Sequence, residues 1–250
     1  MKHIASWKIG LILLICLGLS LSCGGKVTTR TEEPKYQFTI NGVLVKDMNS
    51  GKDISYFSIL RNSKPFSSAL VAVGTDTLTN QGDGTYYKEA SELFDFEEEV
   101  TVTVSSSSDT FSLSKTAVIP GLFQITSFNP PVLTSSNYHL LKVYGSASAG
   151  ADGYLIDFIK PNGSNGYAGL VSLIEMVQGI EDIPRETFEE SGTYRTGTYT
   201  VYVAAYQGGF PSFPGMPFYL PGDLPTGNVP GANGTIGAGV IAPSKSLSAE

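Results

Sequence analysis

Cysteine, tryptophan and histidine are nearly missing from this chain: two, one and two in 250 residues. Cys16, Cys23, Trp7 and His3 all crowd into the N-terminal segment. If residues 1–22 are a removable leader, 228 of the 250 residues remain, with Cys23 the last cysteine and His139 the last histidine. No disulfide can then form within the chain, even in an oxidising compartment, and stability rests on packed cores. One imidazole and one thiol cannot make the usual His/Cys zinc set. A Ser-His-Asp or Cys-His centre would have to rely on His139 alone. Neither a G-x-S-x-G elbow nor a G-x-x-x-x-G-K-[ST] phosphate loop occurs. Cations are scarce too: 16 Lys and Arg against 23 Asp and Glu give a formal charge of −7, and loss of Lys2 and Lys8 takes it to −9. That balance argues against nucleic acid and against anionic lipid surfaces as partners.

The N-terminus has a positive start, Lys2 and Lys8, followed by an almost wholly apolar run from residue 9 to 21 and then small Ser22. This is the layout of an export signal. The run is shorter than the roughly 20 apolar residues of a membrane span. The stretch Leu19-Ser20-Leu21-Ser22-Cys23-Gly24-Gly25 resembles the processing site of bacterial lipoproteins. The resemblance implies that Cys23 becomes the first mature residue and is acylated, which anchors the chain to a membrane. Ser20 stands where that family prefers Leu, and Leu21 comes one place late. Gly24, in place of Asp, implies the outer membrane. An ordinary signal peptide with an incidental cysteine is the other reading. Two or three acyl chains anchor stably, where one binds only reversibly.

Residues 26–34 are polar and aperiodic and read as a tether. Beyond them the pattern is β. Tyr36, Phe38 and Ile40 alternate with Gln37, Thr39 and Asn41, the period of a half-buried strand. Residues 55–60, 69–73, 85–87, 100–104 and 111–118 read as further strands, with turns at Asn41-Gly42, Asn49-Ser50-Gly51, Asn62-Ser63 and 81–84. After a break at Asn129-Pro130-Pro131 come strands at 138–144, 153–160 and 199–206. Leu170, Leu173, Ile174 and Val177 recur at helical spacing, so residues 170–180 read as a short helix, with a buried strand as the alternative. From Gln207 onward prolines and glycines dominate; Phe210, Phe213, Phe218 and Tyr219 are expected against the preceding domain, and residues past Asp223 as disordered.

Lys64-Pro65, residues 69–73, Gly84-Thr85-Tyr86 and residues 100–104 resemble a bacterial immunoglobulin-like module. Residues 143–147, 150–154 and 197–203 resemble a fibronectin type III or related Ig-like domain, with Tyr144 where that family carries Trp. The expectation is an all-β protein of two tandem Ig-like β-sandwiches: signal peptide 1–22, lipidated tether 23–35, sandwich 36–118, sandwich 119–222, and a disordered Gly/Pro-rich tail 223–250.

For chemistry the sequence offers little. Asp83, Asp95, Glu97, Glu98 and Glu99 are oxygen donors of the kind calcium takes, without the loop spacing of a calcium motif. Asp182, Glu186, Glu189 and Glu190 could supply a glycosidase pair, with nothing to set their separation. Tyr86, Tyr87, Tyr167, Tyr194 and Tyr206 could stack on sugars or simply pack. No catalytic residue, metal site or cofactor is assigned; Cys23 is the one assigned site residue. The functional expectation is a non-enzymatic, lipid-anchored protein of the cell envelope that binds an unidentified protein or glycan. A carbohydrate-binding accessory lipoprotein and a carboxylate-dependent hydrolase are the alternatives.

Overall fold

Strands that alternate on both faces need burial on both faces, and the longest strands here are of that kind. In β1 (Phe38–Asp47), Ile40 and Leu44 face one way and Val43 and Val45 the other, all fully buried. The computed structural model describes residues 37–250; the expected leader, Cys23 and the tether lie outside the described residues.

The described chain is mostly β. After β1 come β2 (Lys52–Arg61), β3 (Lys64–Pro65), β4 (Leu70–Val73), β5 (Asp76–Thr77), β6 (Thr79–Asn80), β7 (Thr85–Ala90), β8 (Glu99–Ser106) and β9 (Phe111–Val118). Then follow β10 (Ile125–Asn129), β11 (Val132–Leu133), β12 (Lys142–Gly145), β13 (Gly153–Ile159), β14 (Asn165–Val171) and one short helix, α1 (Leu173–Gln178). The chain closes with β15 (Glu189–Glu190), β16 (Thr193–Tyr194), β17 (Gly197–Gln207), β18 (Asn233–Ile241) and β19 (Lys245–Ala249).

Eleven strands form one mixed sheet along the path β11-β19-β17-β18-β1-β2-β7-β6, with β13 and β14 continuing from β17 and β3 from β2. Its β1–β18 and β11–β19 pairs are parallel. A four-stranded sheet, β5-β4-β8-β9, lies against one face: Val71, Val102 and Val104 share a core with Ile40, Phe57 and Ile59. Farther along, Phe123, Ile125 and Val143, from the β10–β12 region, join Tyr154, Ile156, Phe158, Val201 and Val203 in the same core. The opposite face is covered by residues 208–224, a Pro-rich strap whose Phe210, Phe213 and Phe218 pack with Val43, Val45, Leu155 and Tyr206.

Two expectations are corrected here. The chain does not resolve into two tandem Ig-like sandwiches, because β18 bonds to β1 on one side and β17 on the other, so the large sheet runs straight across the expected boundary. Nor is the C-terminal region a disordered tail. In β18 the apolar residues Ile236, Ala238 and Val240 are fully buried in the main core. The alternate positions are Gly237 and Gly239 because the strap crosses them: an added Cβ would come within 1.8 Å of Gly209 O and 2.1 Å of the Phe210 ring. What reads as low complexity is a strand with one face pared back for close approach.

Smaller differences have equally local causes. Asn41-Gly42 lies inside β1 rather than in a turn; Gly42 makes room for the Phe57 ring across the strand pair, where a Cβ would come within 2.0 Å. Residues 138–144 divide into a 3-10 turn, Tyr138–Leu140, and β12. Residues 170–180 divide as well: Leu170 and Val171 end β14, and α1 follows. Ser172 and Glu175 form a reciprocal capping box, and Gly179, at φ +107°, ends the helix. The helical spacing does not mark a buried face. Met176 is buried on Gly145, while Leu173, Ile174 and Val177 are exposed.

Deleting residues 233–250 therefore strips β1 and β17 of their neighbours on one side, leaving β1 only β2 and β17 only β13. A thermal melt followed by circular dichroism is expected to lose its cooperative transition, whereas a disordered tail would leave it unchanged. Gly239→Val, which drives a branched side chain into Phe210, is expected to cost about 1–3 kcal/mol in the same assay.

Candidate functional site

Within the large sheet, two buried aspartates behave differently. Asp53 on β2 meets Lys46 Nζ at 3.0 Å and accepts the Leu93 and Phe94 N–H groups at 2.8 and 3.0 Å. Its charge and its lone pairs are answered. Asp157, on β13, is not so provided. Its neighbours Tyr154, Ile156 and Phe158 point into the main core, so alternation turns Leu155 and Asp157 toward the strap. The carboxyl is 1% exposed. Oδ2 accepts the Tyr219 N–H at 2.8 Å, while Oδ1 has no hydrogen-bond partner.

Asp157 is the middle of three ties that hold the strap. At its start Asp152 Oδ2 accepts the Gly208 N–H at 2.7 Å. Beyond its end Asn228 bonds the backbone of Ile236 twice, at 2.8 and 2.9 Å. Between them lies a ring layer: Phe210 stacks on Phe218 at 6.2 Å, and Phe218 lies 6.1 Å from Tyr202. Burying three phenylalanines contributes roughly 5–9 kcal/mol, against roughly 1–3 kcal/mol for a buried oxygen left unpaired. The strap stays down with the carboxyl beneath it.

Next to Asp157 the strap and sheet border an open groove of about 350 Å³. Its walls are Ile159, Thr200 and Tyr202 from the sheet and Met216, Phe218 and Tyr219 from the strap. Three of these adjoin Asp157: Ile159 is two residues along the same strand, Tyr202 is its partner across β17, and Tyr219 donates to it. Burial pushes the carboxyl up from its ordinary 3.8 to about 6, against the opposing pull of the Tyr219 and Phe158 N–H groups. A groove beside an acid shifted by burial makes this the candidate site.

The residues singled out from sequence are scattered. His139 lines a different groove, of about 530 Å³, with Asn137, Leu140, Lys142, Glu181 and Asp182. Lys142 and Glu181 are ion-paired there, and the imidazole meets the Tyr138 ring edge-on at 5.8 Å. No serine, threonine or cysteine lines that groove among the described residues. Glu189 accepts the Tyr138 hydroxyl, and Glu190 pairs with Arg195 at 2.5 Å. Asp95 and Glu97, Glu98 and Glu99 are exposed around a turn in which Glu98 accepts the Asp95 N–H. Asp83 caps its own turn through Thr85. Among the described residues no group of three or more His, Cys, Asp or Glu side chains is placed to hold a metal ion.

The tyrosines expected at turns mostly serve packing. Tyr86 is 1% exposed, donates to Phe66 O and accepts the Ala69 N–H, both at 3.0 Å. Tyr206 is buried under the strap. The tyrosines that border the strap groove are Tyr202 and Tyr219, the latter 49% exposed. Sequence reasoning placed Tyr202 in a strand and Tyr219 against the preceding domain without assigning either to a site, and it missed Asp157. The available signal was one acid in an otherwise apolar run, Tyr154-Leu155-Ile156-Asp157-Phe158-Ile159. Comparison with protein-family models, curated proteins and solved structures found no match.

The raised acid makes stability fall with pH. Between about pH 4 and pH 6 the folded chain keeps a proton that the unfolded chain has released, so stability declines across that window and is flat above it. Asp157→Asn keeps the acceptor and removes the charge. It is expected to raise the melting temperature at neutral pH, by an amount corresponding to about 1–3 kcal/mol, and to abolish this part of the pH dependence. Melts of both proteins across this pH range check it.

Proposed function

We propose that the chain is a lipid-anchored protein of the cell envelope whose β-domain binds a partner and catalyses no reaction. The observation that carries the reading is Ser22-Cys23 at the end of a short apolar run behind Lys2 and Lys8. The polar residues after Cys23 support it. Fourteen steps separate Cys23 from Gln37, where the described structure begins, and an extended chain covers them in roughly 45–50 Å. Acyl chains on Cys23 would hold the domain at the membrane while its net negative surface remains in water. The outer membrane is the proposed location, from Gly24 after the cysteine.

A second reading, an accessory carbohydrate-binding lipoprotein, draws support from the half-exposed Tyr219 ring at the strap groove. The carboxylate-hydrolase reading has less to stand on, since Glu189 and Glu190 are engaged with Tyr138 and Arg195.

Cells fed labelled fatty acid provide the test. The wild-type chain is expected to take up label and to sediment with membranes; Cys23→Ser is expected to lose the label and to leave the membrane fraction. A wild-type chain that takes up no label overturns the lipoprotein reading.

A further inference from the structure

The strap groove lies beside a buried carboxyl whose Oδ1 has no hydrogen-bond partner among the described residues. On β17, Tyr202 lies opposite, with Thr200 and Ala204 on either side; on β14 the register partner is Ala168. Along β13 itself the same-face neighbours are Leu155 and Ile159, and the strap brings Phe218 and Tyr219. The titratable groups in this set are the phenols of Tyr202 and Tyr219, and none of its members is a cation. Lys160, the nearest lysine along the strand, directs its Nζ to the carbonyls of Glu186 and Glu189.

We propose that this groove binds a small cationic ligand, an alkylammonium or guanidinium group, with Asp157 as its counter-charge and the Tyr202 and Tyr219 rings as its walls. A buried carboxylate with one oxygen unpaired favours a positive charge above a neutral donor, because the cation offsets part of the cost of burying the acid's own charge. Ring faces at the mouth add attraction for the same charge. The net charge of −7 draws cations toward the domain from a distance. A groove of about 350 Å³ lies at the small end of ligand sites and fits a slim aliphatic stem. Entry to Oδ1 requires the strap to yield at Tyr219, an exposed residue. The ligand takes the ionised acid, so binding strengthens as the pH rises past the point at which Asp157 loses its proton. The proposal stands apart from acylation of Cys23, and its test does not depend on the anchor.

The full chain in detergent is titrated with n-butylammonium, followed by two-dimensional amide NMR, with n-butanol and N-acetylglucosamine as neutral probes. Saturable shifts of the Tyr202 and Tyr219 amides are expected with the amine at about pH 7.5, weakened about tenfold at about pH 5. They are expected to vanish in Asp157→Asn and to weaken in Tyr219→Ala, which truncates an exposed ring and tests the wall should the first variant misfold. No saturable shift with the amine, amine binding that survives Asp157→Asn in folded protein, or equal shifts with either neutral probe overturns the proposal.

Discussion

One strand slot governs this fold. β1 and β17 lie about 160 residues apart in sequence and are joined by β18, which bonds to β1 in parallel and to β17 in antiparallel register. The parallel pairing of β18 with β1 is made only after the whole intervening chain has been laid down. Residues 208–232 link β17 to its antiparallel neighbour β18, and in place of a short hairpin they cross the outer face of the sheet before re-entering beside β17. The strap's rings cover Val43, Val45 and Leu155, which would otherwise present apolar surface to water.

Close crossing dictates residue choice on both partners. Gly237 and Gly239 give up side chains so that the strap backbone at Gly209 and the ring of Phe210 can sit against β18. Six prolines between residues 211 and 230 prevent the strap from adopting strand or helix of its own, and so keep it a cover. Three polar ties set its position, from Asp152, Asp157 and Asn228. Two are made at accessible or fully bonded places. The third is made by an acid with one oxygen unpaired under a ring layer. A buried oxygen left unpaired in this way costs stability.

Much of the strand inventory could be read directly. β1, β2, β4, β8, β9, β13 and β17 each carry an apolar alternation or an apolar run bounded by turn residues, and each forms close to where that pattern places it. The pattern at residues 170–180 misled because spacing reports periodicity and not burial: α1 is six residues long, and Met176 alone has a buried place to go. The Ig-like expectation failed for a related reason. Strand spacing constrains neighbours in sequence and is silent on a partner that comes from the far end of the chain. At the candidate site, Asp157 was visible as one acid in an apolar strand, but its meaning depended on what lay above it.

The sequence by itself determined that this is a β protein, that no disulfide is needed to hold residues 37–250, and where most of the strands lie, because these follow from composition and from a period of two. It also supplied the export-like segment ending at Cys23. Tertiary structure alone decided that the halves share a sheet, that a Gly-rich C-terminal stretch is a central strand, and that an aspartate is sealed beneath aromatic rings. Each of those depends on which distant segments touch, and a local pattern carries no information about a contact made two hundred residues away.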